Sequence, residues 1–225
     1  MRIYDDRYSR DRQRFHIALR FIALEARTHT IRRWTGLTGD RIRKLYRSYL
    51  AHCGQPVPRH RGKSPQRIGI FLRSARLRRE SALLATLLRL LGALPAPTPR
   101  ARAPAAAPLP SLQRAQLLCE AYQLFRTLLG KPLLGFEHAV FLLQALSQAQ
   151  EITAAFCPDC QALIVMDRWA LQPTRCAVCE TPDGALPDLP APVTLCKTPW
   201  NADQHEQYEG HERHERHERH ERCAS

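Results

Sequence analysis

The sequence predicts a mostly α-helical protein, a helical bundle with a helix-turn-helix-like N-terminal part, followed by a small C-terminal four-cysteine module of the zinc-ribbon type. Leu and Ala dominate the apolar residues, which make up 44% of the chain, whereas aromatic residues make up only 7%. This composition favours helices over strands. Apolar residues recur at helical spacing, and two Cys-x-x-Cys pairs lie towards the C-terminal end.

The first element predicted is an amphipathic helix over residues 13–27. A short second helix, Thr28–Thr35, follows it, and Gly36 can end that helix in a left-handed conformation. Thr38 is a suitable N-cap for a third helix, which runs from Gly39 to about Leu50. Apolar residues at helical spacing mark the inward faces of the first and third helices: Phe15, Ala18, Leu19, Ile22, Ala26, Ile42, Leu45, Tyr46 and Tyr49.

The second and third helices resemble a helix-turn-helix, because a tight turn with Gly36 and Leu37 precedes a basic helix. An ordinary helical hairpin with a basic face is the alternative. A loop rich in Pro, Gly and basic residues follows at 52–67. The residues expected to contact phosphates or base edges are Thr38, Arg41, Arg43, Lys44 and Arg47 of the third helix, and Arg59, Arg61 and Lys63 of the loop.

Two further helices are predicted around residues 68–79 and 80–91, and a Pro- and Ala-rich linker at 94–110 should be stiff and extended. Ser111 can cap a helix over residues 112–129, which Gly130 and Pro132 end, and another helix runs from Gly135 to about Gln150. We therefore expect a helical region at 13–93 with the helix-turn-helix-like segment at 28–50, the linker, a second helical region at 111–150, the cysteine module at 151–182, and a disordered tail at 183–225 that contains a His-Glu-Arg repeat.

The cysteine spacing carries the strongest chemical signal in the chain. Cys157, Cys160, Cys176 and Cys179 form two Cys-x-x-Cys pairs separated by fifteen residues. Two such turns can complete a tetrahedron of thiolates around one Zn²⁺ and leave no open position, so we expect one structural zinc per chain. Redox-active thiol pairs and buried structural cysteines are the alternatives. The stretch 163–166 should form a short strand, Cys119 should lie in the core, and Cys53 should be a surface thiol in a loop.

The positive charge is concentrated in the N-terminal half. The chain has 34 Lys and Arg and 21 Asp and Glu, a net charge of +13. Residues 1–103 hold 24 basic and 6 acidic residues, a net charge of +18, whereas residues 104–225 hold 10 basic and 15 acidic, a net charge of −5. The basic residues are mostly Arg, which suits bidentate contacts with phosphate and guanine. Nucleic acid is therefore favoured as a partner over an acidic protein or a merely solvated surface.

Several other functional classes lack their sequence signals. The chain has no Gly-rich phosphate loop, no Gly-x-Ser-x-Gly and no His-Glu-x-x-His, so we expect a binding protein and not an enzyme. It has neither a secretory signal nor an apolar run long enough to span a membrane, so we expect a cytoplasmic protein that does not contact membranes.

Taken in order, three stretches resemble the FlhC family of bacterial flagellar transcriptional activators, over roughly residues 13–180. They are the run at 18–27, continuing through Gly36-Leu37-Thr38 to the Ile-Arg-Lys-Leu-Tyr at 42–46; the basic Gly-Lys-Ser-Pro loop at 61–65; and the four cysteines. The resemblance implies a hetero-oligomer with a smaller FlhD-type protein, which binds promoter DNA and recruits RNA polymerase. It also implies that Cys157, Cys160, Cys176 and Cys179 hold the zinc.

This sequence departs from the family pattern in the linker at 94–110, in an acidic, Pro-rich segment at 180–190, and in the His-Glu-Arg repeat. A divergent FlhC-like regulator of non-flagellar genes is therefore an alternative. An RNA-binding or ribosome-associated zinc protein would share the charge and the cysteine pairs. A nucleic-acid enzyme that uses the cysteine module as a clamp is a further alternative.

Overall fold

Helices dominate the computed structural model, which describes residues 2–53, 60, 62, 64–94, 111–171 and 174–180. The predicted fold class is confirmed in that the described chain is mostly helical with a small sheet and four neighbouring cysteines. No helix within these ranges is long and apolar enough to cross a membrane. In chain order the elements are α1 (Arg2–Ala23), α2 (Thr28–Thr35), α3 (Gly39–Cys53), a 3-10 helix (Ile68–Phe71), α4 (Ala75–Leu90), α5 (Leu112–Leu129), α6 (Phe136–Gln148), β1 (Ile152–Phe156) and β2 (Leu163–Asp167).

Helix α1 is longer at its N-terminal end and shorter at its C-terminal end than the sequence predicts. Its first residues, from Arg2, are strongly charged, so they carry no apolar periodicity from which a helix start could be read. The helix ends at Ala23 because Glu25 takes a left-handed conformation, with φ of 63°. The Ala26 amide then donates to the Phe21 carbonyl at 2.8 Å, which is the bond of a Schellman motif.

Helices α1, α2 and α3 pack against one another in pairs. Gly36 ends α2 with φ of 71°, as predicted, and Leu37 is buried in the turn. The Tyr46 hydroxyl of α3 donates to the carbonyl of Ala26 at 2.8 Å, which fixes α3 against the end of α1. The third helix runs on to Cys53, so this cysteine belongs to α3 and the prediction that placed it in a loop is wrong.

The predicted pair of helices at 68–79 and 80–91 is also wrong. A short 3-10 helix at Ile68–Phe71 precedes one helix, α4, which Ser74 caps by accepting a hydrogen bond from the Leu77 amide at 3.2 Å. The Arg-rich stretch around residue 79 does not interrupt α4, because Glu80 is buried and hydrogen-bonded within the fold. The predicted linker beyond Leu94, at 95–110, lies outside the described residues.

Helices α5 and α6 complete the core. The Ser111 hydroxyl caps α5 as predicted, accepting from the Arg114 amide at 3.1 Å, and Gly130 and Gly135 stand at the ends that the sequence predicts. Phe136 of α6 lies 4.9 Å from Phe21 of α1 and 5.3 Å from Tyr122 of α5, measured between ring centroids. The helices before and after the linker therefore share one core.

Strands β1 and β2 form an antiparallel hairpin in which Ile152 pairs with Asp167 and Phe156 pairs with Leu163. The hairpin contacts α4 through β2 and α6 through β1. The sequence predicts β2 but not β1, whose Thr-Ala-Ala centre has little strand signal. The acidic segment from 181 onwards, the tail and its repeat lie outside the described residues.

Candidate metal centre and basic helix face

The four cysteines of the two Cys-x-x-Cys pairs converge in space. Their sulfur atoms all lie within 4.8 Å of one another, and Cys160 Sγ lies 3.6 Å from Cys176 Sγ. Cys157 follows the last residue of β1 and is fully buried, whereas Cys160 lies in the exposed turn between the strands. The second pair comes from the turn at 176–179. Two turns from separate parts of the chain thus enclose one point that could hold a metal ion.

Backbone hydrogen bonds shape each turn for this purpose. The Cys157 amide donates to the Ala162 carbonyl at 2.8 Å, and Gln161, with φ of 59°, reverses the chain between them. Two sulfur atoms also accept backbone hydrogen bonds at 3.3 Å: Cys157 from the Cys176 amide, and Cys176 from the Cys179 amide. These N–H groups partly balance negative charge on sulfur, which favours thiolates at the centre.

The pKa values of the clustered cysteine thiols favour a bound cation. Backbone N–H groups of Cys160 and Cys176 lower the pKa of Cys157 to about 6, because they stabilise its thiolate. Hydrogen bonds with the neighbouring sulfurs of Cys176 and Cys160 raise the pKa of Cys179 well above its usual range, because they favour its protonated form. All four groups can be thiolates together only if a positive ion lies among them. Four thiolates then fill a tetrahedral shell, which fits a structural metal site.

Ion pairs attach the metal turns to each other and to α4. Arg78 of α4 contacts both carboxylate oxygens of Glu180, at 2.5 and 2.9 Å, and donates to the Arg175 carbonyl at 2.6 Å. Arg175 in turn pairs with Asp159, between the first two cysteines, at 3.1 Å. Ile164 of β2 packs beneath the cysteines. The cysteine cluster is therefore fixed to the helical body and not carried on a free module.

Helix α3 presents a continuous basic face. With about 3.6 residues per turn, positions 40, 41, 43, 44 and 47 share one side of the helix, and all five residues are exposed. The opposite side carries the buried Ile42, Leu45 and Tyr46. The structure thus brings together on one face four of the residues predicted to contact DNA: Arg41, Arg43, Lys44 and Arg47.

The local partners on this face differ from residue to residue. The Thr38 hydroxyl accepts a hydrogen bond from the Arg41 amide at 3.4 Å, so this side chain caps α3. The Arg41 guanidinium lies 5.7 Å from the centre of the Phe15 ring of α1. Arg43 forms a 2.5 Å ion pair with the exposed Asp40. The other predicted contact residues, Arg59, Arg61 and Lys63, lie outside the described part of the chain.

Sequence reasoning missed the carboxylates that organise these sites. Asp40 shares the basic face, Glu180 anchors the metal turns, and Glu80 and Glu137 are buried. A signal existed for Asp40, because Asp and Arg three residues apart on a helix are neighbours. Glu80, Glu137 and Glu180 each have partners more than fifty residues away in sequence, and no local pattern could reveal those contacts. Among the contacts of these three carboxylates, the pair of Glu80 with Arg76 is local.

No protein-family model matches the chain, and no curated protein matches its sequence. The family resemblance of residues 18–46 therefore stays a prediction from the residues.

Proposed function

We propose that this chain is a DNA-binding transcription regulator in which α3 enters the major groove and the four cysteines hold a structural zinc. The basic face of α3 carries the proposal. Arg43, Lys44 and Arg47 project from the side opposite Ile42, Leu45 and Tyr46, which attach the helix to its neighbours. A cationic helix held rigidly in this way is the element that helix-turn-helix proteins place in the groove.

The geometry before α3 supports the same function. Helix α2 has eight residues, and three residues, beginning with the left-handed Gly36, connect it to α3. In a helix-turn-helix the first of these helices crosses the DNA backbone. Arg32 of α2 is exposed and offers a phosphate contact there. Lys44 and Arg47 would then contribute affinity for phosphate. Asp40 and a guanine edge would compete for the Arg43 guanidinium.

For the metal we propose one Zn²⁺ per chain. Four thiolates in tetrahedral array select zinc or iron–sulfur chemistry, and a single ion completes the small cluster of sulfurs here. With no open position, the ion fixes the fold and takes no part in catalysis. Elemental analysis of protein purified without added metal tests this directly. One equivalent of zinc is expected, and bound iron with sulfide would contradict it.

We further propose that the chain acts as an FlhC-type activator of flagellar genes in the cytoplasm, in a hetero-oligomer with an FlhD-type protein that recruits RNA polymerase. Support comes from the run at 18–46, whose residues build α1, α2 and α3. Leu124 and Leu128 of α5, about half exposed, offer an apolar surface for such a partner. Co-expression tests the partnership. A stable complex is expected, and a Leu124→Ser/Leu128→Ser variant that binds the partner as wild type does would exclude this surface.

An RNA-binding function is the second candidate, because one structural feature favours it. Trp169, after β2, is 73% exposed, and the Arg168 guanidinium lies 5.5 Å from its ring centre. Exposed aromatic rings with adjacent arginines stack on unpaired bases. Fluorescence anisotropy with a labelled DNA duplex and an RNA hairpin of equal length separates the two functions. We expect the duplex to bind more tightly and the Trp169→Ala variant to keep its duplex affinity.

A further inference from the structure

A cleft of about 470 Å³ opens between the turn after α1, the C-terminal end of α5 and the N-terminal end of α6. Its volume lies within the range of about 300–1,000 Å³ that is typical of small-molecule sites. One part of its lining is apolar, formed by Leu24, Pro65, Tyr122, Pro132 and Phe136. None of the residues that line the cleft belongs to the cysteine cluster or to the exposed face of α3, so neither proposed site uses it.

The remaining lining is charged, and its carboxylates are already engaged. Glu25 pairs with His60 at 3.0 Å. Glu137 accepts hydrogen bonds from the Arg27 amide at 2.8 Å, the Thr30 hydroxyl at 2.9 Å and the Ser64 hydroxyl at 2.7 Å. Both of its oxygens are therefore satisfied from within the fold.

Three Arg and Lys residues also line the cleft: Arg27, which is half-buried, and the exposed Arg126 and Lys131. Arg126 and Lys131 are exposed, and neither forms an ion pair within the ranges that the structure describes. Arg126 precedes Gly130, where α5 ends, and Lys131 follows it in the sequence. Part of the charge of these two residues offsets the negative end of the α5 dipole. The N-terminal end of α6, at Phe136, opens into the same cleft and adds positive potential. The cleft therefore combines an apolar wall with a positive rim.

We propose that this cleft binds a small organic anion, in which a carboxylate or phosphate group at Arg126 and Lys131 is attached to a flat apolar body that packs on Tyr122 and Phe136. The ligand would lie beside Glu137, which caps the first turn of α2 from α6 by accepting the Arg27 amide. Occupancy would thereby stabilise the start of α2. Binding at the cleft does not require that α3 contacts DNA.

Calorimetric titration of the full chain with 2-naphthoate, and with neutral 2-naphthamide as its matched probe, tests the charge requirement. Naphthoate is expected to bind about 25-fold more tightly than the amide, since an exposed ion pair contributes about a fivefold gain for each of the two cations. Equal binding of the two probes, or binding of neither at millimolar concentration, overturns the proposal.

Variants then place the site. Arg126→Gln and Lys131→Gln should each weaken naphthoate about fivefold and leave naphthamide unchanged. Arg73→Gln is the control, because Arg73 is also exposed but lies before α4 and outside the cleft. Equal weakening by Arg73→Gln would mean that naphthoate follows only the net charge of the protein, and it would overturn the proposal. Circular dichroism of each variant shows that its helices remain folded.

Discussion

Arg78 of α4 holds both carboxylate oxygens of Glu180, the residue immediately after the last cysteine of the metal centre, at 2.5 and 2.9 Å. The paired carboxylate raises the pKa of Arg78, and the guanidinium lowers the pKa of Glu180, because each charge favours the other. A bidentate Arg–carboxylate pair also fixes orientation. The second metal turn is thereby oriented from the helical body.

The first prediction concerns this pair. Arg78→Gln should speed the transfer of metal to a chelator about fivefold, since the pair is partly exposed and contributes about 1 kcal/mol. Glu180→Gln should have a similar effect, and the double variant should add little, because the two residues act through one contact. Stopped-flow transfer to a coloured chelator measures the rate. Fully additive effects of the two substitutions would show that they act separately.

The second prediction concerns the cysteines. Cys157→Ser should lose the metal and the order of the hairpin, because Cys157 is the most deeply buried cysteine of the cluster and its sulfur accepts the Cys176 amide. Cys119→Ser, a cysteine outside the cluster, should keep the metal. Elemental analysis measures the bound metal, and the NMR amide signals of β1 and β2 report the order of the hairpin. Retention of a full equivalent of metal by a Cys157→Ser/Cys176→Ser variant would disprove the site.

The third prediction concerns a buried carboxylate. Glu80 is 4% exposed and accepts the amides of Leu133 and Leu134 at 2.8 and 3.0 Å, so it attaches the turn after α5 to α4. Glu80→Ala should lower the free energy of unfolding by about 2–4 kcal/mol, because it leaves two amides without their acceptor. Arg76→Gln, which removes only the exposed partner of Glu80, should cost less than about 1 kcal/mol. Urea unfolding measures both, and equal losses would contradict this account.

The fourth prediction concerns alkaline pH. Burial raises the pKa of Cys119 from 9.0 to about 12. The folded pKa lies above the unfolded pKa, so the contribution of this thiol is fully present below pH 9 and is lost as the pH rises towards 12. Its loss has a slope of about 1.4 kcal/mol per pH unit. Cys119→Ala should be less stable at pH 7 and should lose stability less steeply above pH 9. If the free energy of unfolding of the wild type and of Cys119→Ala falls in parallel above pH 9, this thiol is not the source of the alkaline loss of stability.

Much of the local structure follows from short patterns in the sequence. Ser111 marks a helix start through its side-chain hydroxyl, and Gly36 and Gly130 mark helix ends through their backbone freedom, so the bounds of α2 and α5 could be predicted. The Cys-x-x-Cys pairs indicate a turn and a metal ligand in the same four residues. The continuity of α4 through Glu80 and the start of α1 could not be predicted, because they depend on the burial of Glu80 and on a charged first half of α1.

The arrangement of the sites depends on contacts between distant parts of the chain. Periodicity places Lys44 and Arg47 opposite Ile42 and Leu45, so the exposed face of α3 is visible in the sequence. The attachment of Glu180 to Arg78 joins positions 102 residues apart. Such pairings arise only when α4 and β2 pack together, and no local window contains that information.

The fifth prediction tests the central claim, that the basic face of α3 binds DNA. Lys44 and Arg47 should contact phosphates, and Asp40 should oppose binding by its own charge and by its hold on Arg43. Asp40→Asn should therefore raise duplex affinity, whereas Lys44→Gln should lower it. Circular dichroism verifies that both variants stay folded, and Arg126→Gln on α5 is the control for net charge.

The decisive measurement is the dependence of duplex affinity on salt concentration, by fluorescence anisotropy of the full chain with its partner present. The slope of log K against log salt is negative, and its magnitude should decrease by about 1 in Lys44→Gln and stay unchanged in Arg126→Gln. The reason is that each phosphate contact releases about one counterion. Affinity should rise in Asp40→Asn. Identical slopes for wild type and Lys44→Gln, together with no gain in Asp40→Asn, would contradict DNA binding through α3.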